Sequence, residues 1–264
     1  ENWGIEPLPN LDFKIMQGNS LIELLSEGFL CSGVDREREK LTKKLKILKD
    51  EMFSPLPSKE KKEKRAEINK LIKQIFNYDR IKKINNLKEE IFGIQSQKVL
   101  FDDKILKQKN KAIIDEKQKE IKRLENIKFL NPEEHFEWHI NFSEVFEEKE
   151  GFDIVIGNPP YIKEYTFKNV FNGIKISPYY QGKMDIWYLF TCKGIDLLKK
   201  DTGILTFIAQ NNWTTSYGAS KMRAKVIQDT KILQMIDFGG YMVFKNSGIQ
   251  TMIMIFKSDT KSDN

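Results

Sequence analysis

Phe152-Asp153-Ile154-Val155-Ile156-Gly157-Asn158-Pro159-Pro160-Tyr161, FDIVIGNPPY, reads as a strand that stops abruptly. Ile154, Val155 and Ile156 form a short apolar, β-branched run. Gly-Asn-Pro-Pro then ends it. Two consecutive prolines give up two N–H donors and fix two φ angles, which is more than an ordinary turn needs. The groups delivered there have a specific chemistry. The Asn158 carboxamide carries one acceptor oxygen and two donor hydrogens. The Pro159 carbonyl is a second acceptor on a stiff frame. Two such acceptors suit a planar –NH2 group, whose lone pair they would turn toward an electrophile. Tyr161 supplies a ring that can stack on the plane carrying that amine. The combination fits methylation of an exocyclic amine, and open α/β sheets place their sites at such strand ends.

The surrounding text has the same grammar. Asp185–Lys199 reads as a helix with Ile186, Leu189, Phe190, Ile195, Leu197 and Leu198 apolar. Thr202-Gly203 marks a turn, Ile204–Ala209 a buried strand, Ala219–Gln228 a helix, and Ile232–Asp237 and Thr251–Phe256 two further strands. Phe13–Met16 also reads as a strand ending at a turn. Strands alternating with helices predict an α/β sheet, mostly parallel.

Residues 36–126 differ. They are rich in Lys, Glu, Ile and Leu, with apolar residues at helical spacing, for example Ile68, Leu71, Ile75 and Ile81, Ile84, Leu87, Ile91. The prolines of Ser54–Ser58 and the stretch Gly93–Ser96 interrupt the pattern, so two or three long helices folded back on one another are expected. This segment holds 27 Lys+Arg against 16 Asp+Glu, and the rest of the chain 17 against 22, so all the positive excess of the +6 net charge lies here. Lys61, Lys62, Lys64 and Arg65 are the densest cluster. They sit at a helix start, where cations oppose the helix dipole. That placement suggests a partner, either DNA phosphates or an acidic protein surface.

With 264 residues and 40% hydrophobic content the chain can bury a substantial core. No window approaches the roughly 18–20 apolar residues of a membrane span, and no secretory leader is visible, so a cytoplasmic protein is expected. Cys31 and Cys192 fit no disulfide or metal framework. His135 and His139 are four apart, as helical metal ligands can be, but lack a third ligand, and no metal is expected. The first residue is Glu1, which suggests a piece of a larger protein.

The tetrad Asn158–Tyr161 resembles motif IV of the S-adenosylmethionine-dependent amino-methyltransferases. The wider pattern is similar to the gamma-class adenine-N6 DNA methyltransferases, and within them to the fused, type IIG-like restriction-modification methylases. The stretches that carry it are Leu8–Leu21, the run from His139 to Tyr161, the run from Gly182 to Trp213, and Asp237–Phe256. The resemblance implies a partial Rossmann-like methyltransferase α/β sheet with a long α-helical insertion. It divides the chain into a first methyltransferase part (1–35), the basic helical insertion (36–126), the catalytic part (127–258) and a tail (259–264).

It also implies roles. Asn158 and the Pro159 carbonyl would hold the target amine. Tyr161 would stack on a flipped-out base, with Phe244 as a second contact. Pro160 and Phe190 would pack on the adenine of S-adenosylmethionine. Asn19 stands where many members have an Asp that accepts from the cofactor's amino group. The family's Gly-rich motif and ribose-binding acidic residue precede that point, and nothing in Glu1–Phe13 resembles either. The implied partners are double-stranded DNA, S-adenosylmethionine and the rest of the parent polypeptide. Two rival readings are methylation of a protein glutamine amide and a catalytically silent DNA-binding or scaffold fragment.

Overall fold

The computed structural model describes residues 10–25, 35–96, 104–127, 136–245 and 248–259. The chain divides into two compact units, Glu1–Glu144 and Val145–Asn264.

The first unit is helical. Helices α1 (Arg36–Phe53), α2 (Ser58–Ser96) and α3 (Lys104–Asn126) are followed by the short α4 (Trp138–Asn141) and α5 (Ser143–Lys149), which crosses the unit boundary. The breaks fall at the two prolines of Ser54–Ser58 and after Ser96, where the sequence pattern places them. Asp35 caps α1 by accepting from the Arg38 N–H at 3.2 Å. Leu45, Leu48 and Met52 of α1 meet Ile68, Leu71, Ile72, Ile75 and Phe76 of α2, and Ile121 and Leu124 of α3 close the cluster. Each such side chain contributes about 1.5–3 kcal/mol on burial. A surface ion pair contributes about 0–1 kcal/mol, so the apolar seam decides this packing.

Residues 10–25 belong to the same unit. The strand expected at Phe13–Met16 is a tight turn instead. The N–H groups of Lys14 and Ile15 both donate to the Leu11 carbonyl at 3.0 Å, and Phe13 takes φ +62°. A left-handed phenylalanine is a strained outlier, held here by packing of Phe13 on the helical core. The Trp138 indole N–H donates to the Ser20 carbonyl at 3.1 Å and the Trp138 backbone N–H to Glu23 Oε1 at 2.9 Å, tying the segment to α4.

The second unit carries the sheet: β1 (Ile154–Gly157), β2 (Ile204–Gln210), β3 (Thr230–Asp237) and β4 (Thr251–Ser258), in the order β1-β2-β4-β3. Helix α6 (Ile186–Asp196) links β1 to β2, and α7 (Ser220–Asp229) links β2 to β3. β1 and β2 pair in parallel, but β4 is antiparallel to both β2 and β3. The expectation of a mostly parallel sheet is therefore corrected to a mixed one. Three strands run the same way, and β4 returns between β2 and β3.

Register sorts the side chains by face. Val155, Leu205 and Phe256 share one face with Phe207, Met254, Ala209 and Met252. Helix α6 lies against it. A Cβ on Gly194 would come within 2.6 Å of Leu205 Cδ1 and 3.4 Å of Val155 Cγ1, so the close approach requires glycine. The other face is lined by isoleucines: Ile154 and Ile156 of β1, Ile204 and Ile208 of β2, Ile253 and Ile255 of β4, and Ile236 of β3. Ile154 is 63% and Ile156 78% exposed.

Candidate functional site

The parallel strands β1 and β2, and β3 beyond them, end at one edge of the sheet. Residues 158–185, 211–219 and 238–245 follow these ends. β1 stops at Gly157, where a Cβ would press on the Phe207 ring at 3.1 Å. Pro159 is buried, Asn158 and Pro160 are exposed, and Tyr161 is half-buried. The two prolines thus turn the chain so that the carboxamide and the second proline ring face solvent.

The Tyr161 hydroxyl lies 2.8 Å from Asn158 Oδ1 and 3.0 Å from the Ile208 carbonyl, with one proton to donate between them. β2 therefore helps to fix the ring. Asn158 keeps a lone pair for another donor, because a carboxamide oxygen has two. Among the described residues the Pro159 carbonyl accepts no hydrogen bond. The structure thus brings Asn158, Pro159, Pro160 and Tyr161 together, with an exposed carboxamide beside a buried proline whose carbonyl accepts no described hydrogen bond.

Phe190 lies on α6. Every residue of that helix is buried except Phe190 and Asp196. Phe190 keeps only part of its ring at the surface of an otherwise buried helix. Phe244 is half-buried in the loop between β3 and β4. Asn19 belongs to the helical unit. Its Oδ1 accepts from the N–H groups of Leu21 at 3.0 Å and Ile22 at 3.1 Å. Both lone pairs serve that turn, so the acceptor role implied by the resemblance would require the turn to open.

Asp185, the N-cap residue of α6, was not singled out by the sequence. It is 3% exposed, and neither carboxylate oxygen has a hydrogen-bond partner. Burial pushes its carboxyl up to about 6, opposed only in part by the N–H groups of Trp187, Ile162 and Ile186 and by Lys163. Its strand-like partner Lys163 comes two residues after Tyr161. The Tyr161 phenol is raised by burial first and by the Asp185 charge second. In sequence an Asp at the start of an apolar helix carries no catalytic signal, because Asp is an ordinary residue there.

The basic cluster is also resolved. Lys61 lies 3.3 Å and Arg65 2.7 Å from Asp12 Oδ2, and Lys64 pairs with Glu51. Three of the four cations thus face acids of their own chain. Among the described residues no group of three His, Cys, Asp or Glu side chains is placed to hold a metal ion. Cys192 is buried and in no disulfide. His135 and Cys31 lie outside the described residues. No described helix is long and apolar enough to cross a membrane.

Residues 34–244 match the family model of the Eco57I restriction-modification methylases. The chain belongs to that family. It is an S-adenosylmethionine-dependent methylase family. A Methanocaldococcus jannaschii protein, inferred to be a type II restriction enzyme and methyltransferase, is 26% identical over 97% of this chain and 23% of its own length. A type II restriction enzyme and methyltransferase of Escherichia coli is 27% identical over 41% of this chain and 11% of its own length. The chain thus spans less than a quarter of the curated relatives it matches. A Listeria monocytogenes structure, inferred to be a class I S-adenosylmethionine-dependent methyltransferase, aligns with TM-score 0.32 and 16% identity over 43% of this chain and 33% of that one.

Proposed function

We propose that the chain is the catalytic part of a DNA adenine-N6 methyltransferase of a restriction-modification system. The observation that carries this reading is the tetrad at the end of β1, where an exposed carboxamide is held beside a half-buried ring by the Tyr161 hydroxyl and the Pro159 carbonyl between them accepts no described hydrogen bond.

The target adenine has to leave the stack to reach this loop, at a cost of a few kcal/mol. Stacking on Tyr161 returns about 1–3 kcal/mol, and Phe244 is placed to bear on the base as well. Asn158 Oδ1 and the Pro159 carbonyl accept the two N6 hydrogens and draw the amine out of conjugation. Pro160 and Phe190 present open apolar surface suited to the cofactor's adenine. S-adenosylmethionine supplies a methyl group already on a good leaving group. Transfer forms the N6–carbon bond, breaks the sulfur–carbon bond, and leaves a proton on N6 that passes to water. The contribution of this chain is placement and hydrogen bonding. Double-stranded DNA and the rest of the longer polypeptide are its partners in this proposal, and residues 36–126 are an insertion within the methyltransferase domain. The family model runs through that segment from residue 34, so the segment belongs to the family's own domain.

Incubation with duplex DNA and labelled S-adenosylmethionine, then digestion to nucleosides, tests the reading. Label in N6-methyladenine is expected. Label in a cytosine derivative would refute the adenine assignment, and label only in a protein glutamine amide would replace DNA as the substrate.

A further inference from the structure

The turn that follows the tetrad does not behave like an ordinary surface loop. Residues 162–164 run antiparallel to 184–186: the Ile186 N–H donates to the Ile162 carbonyl, and the Glu164 N–H to the Met184 carbonyl, each at 2.9 Å. The Thr166 and Phe167 N–H groups both return to the Lys163 carbonyl at 3.1 Å. The base of the turn is thus fixed by the chain entering α6. Residues 165–170 are then all exposed, and the run ends on Phe171, which is fully buried.

That anchored run presents Tyr165 at 74% exposure and Phe167 at 56%. The other tyrosines of the same loop are tied down: Tyr161 to Asn158, Tyr179 to Asp196 and Tyr180 to Glu164. Two large rings on one anchored turn offer apolar surface to a partner. The charge around them points to the partner. Lys163 sits 6.0 Å from the Tyr165 ring centroid, and Lys168 follows Phe167 directly. Cations beside flat apolar rings match phosphates beside base faces.

We propose that Tyr165 and Phe167 form a wedge that enters DNA beside the target base and fills the space the base leaves. The inference rests on the base-flipping reading above and adds what holds the duplex open. Apolar side chains inserted between base steps are a known way to stabilise unstacked DNA. The position fits, because the wedge starts four residues after Tyr161 and shares its fixed loop.

The test uses the full-length protein and three dye-labelled probes: a paired 20-base-pair duplex, the same duplex with one abasic gap, and its single strand. Fluorescence anisotropy of the wild type should show tighter binding to the gapped duplex. Tyr165→Ala/Phe167→Ala should lose that preference, by about tenfold for each ring, with single-strand affinity within about twofold of wild type. Tyr165→Phe should keep the preference, because the ring remains. Both rings are exposed, so the melting temperature should not move. No gap preference in the wild type, or an unchanged one in the double variant, overturns the wedge. An equal loss on all three probes also overturns it, in favour of a general DNA contact. Methyl transfer by the same wild-type protein separates the two claims. N6-methyladenine without gap preference sinks the wedge alone, whereas no transfer to DNA sinks the methyltransferase reading on which it rests.

Discussion

Asp79 of the helical unit and Asp185 of the sheet unit are each 3% exposed, and burial pushes both carboxyls above their ordinary range. Their surroundings differ. Arg38 Nε reaches both oxygens of Asp79, at 2.9 and 3.2 Å. Neither oxygen of Asp185 has a hydrogen-bond partner. The helical unit repeats its solution elsewhere. Lys49, 2% exposed, donates to the Asn141 carbonyl at 2.5 Å and to Glu144 at 2.9 Å. Asp35 takes Lys82, Tyr78 and the Arg38 N–H, which hold its carboxyl down at about 2. One unit satisfies its buried charge internally. The other leaves Asp185 with only the N–H groups at the start of α6, that of Ile162 and Lys163 near it and no hydrogen bond to either oxygen, beside a Tyr161 phenol that its charge raises, and perturbed carboxyls of this kind accompany functional sites.

The largest effect should come from taking away a partner in the helical unit. Arg38→Ala leaves Asp79 buried and unpaired, and should cost about 3–5 kcal/mol in urea unfolding. Replacing both members, Arg38→Met with Asp79→Leu, should recover most of that. A loss below about 1 kcal/mol from Arg38→Ala would mean that the pair does not organise the unit.

Asp185→Asn should do the opposite and stabilise, by about 2 kcal/mol at pH 7. The folded carboxyl, at about 6, lies above its unfolded value, so the native state holds the proton more tightly. Stability is therefore lost as pH rises from about 4 through about 6. The Asn variant should lack this component of the slope, read from unfolding midpoints at pH 4.5 and 7.5. Equal slopes in the two proteins would show that Asp185 has a partner after all.

The smallest effect is expected from the basic cluster. Replacing Lys61, Lys62, Lys64 and Arg65 together by Gln would change the salt slope of DNA affinity by about 3.6 if all four touched phosphates, at about 0.9 each. Because three of them face Asp12 and Glu51, a change below about 1 is expected, with a stability loss of similarly small size. A full change would show that the ion pairs give way to DNA.

What was legible in the sequence follows from range. β1, β2, β3 and β4 and the helices between them were visible, because short β-branched runs and apolar periodicity are local signals. The Asn158–Tyr161 loop was visible because prolines write their own geometry. Phe13–Met16 was misread because alternation over four residues cannot outweigh a turn closed on Leu11 and packed on helices far along the chain. That β4 pairs with β2 as well as with β3 depends on tertiary contact, which no local pattern encodes. The pairing of Arg65 with Asp12, and the isolation of Asp185, are facts of tertiary contact and left no trace in spacing.

The central claim is that the end of β1 is built for chemistry and not for holding the fold. Asn158 is exposed, and its described side-chain contact is the Tyr161 hydroxyl. Asn158→Ala in the full-length protein, followed by both thermal melting and methyl transfer to DNA, tests that claim most directly. A melting temperature within about 1–2 °C of wild type, with transfer reduced by about 100-fold or more, is the predicted result. Undiminished transfer, or a loss of transfer that merely follows a lowered melting temperature, would contradict it.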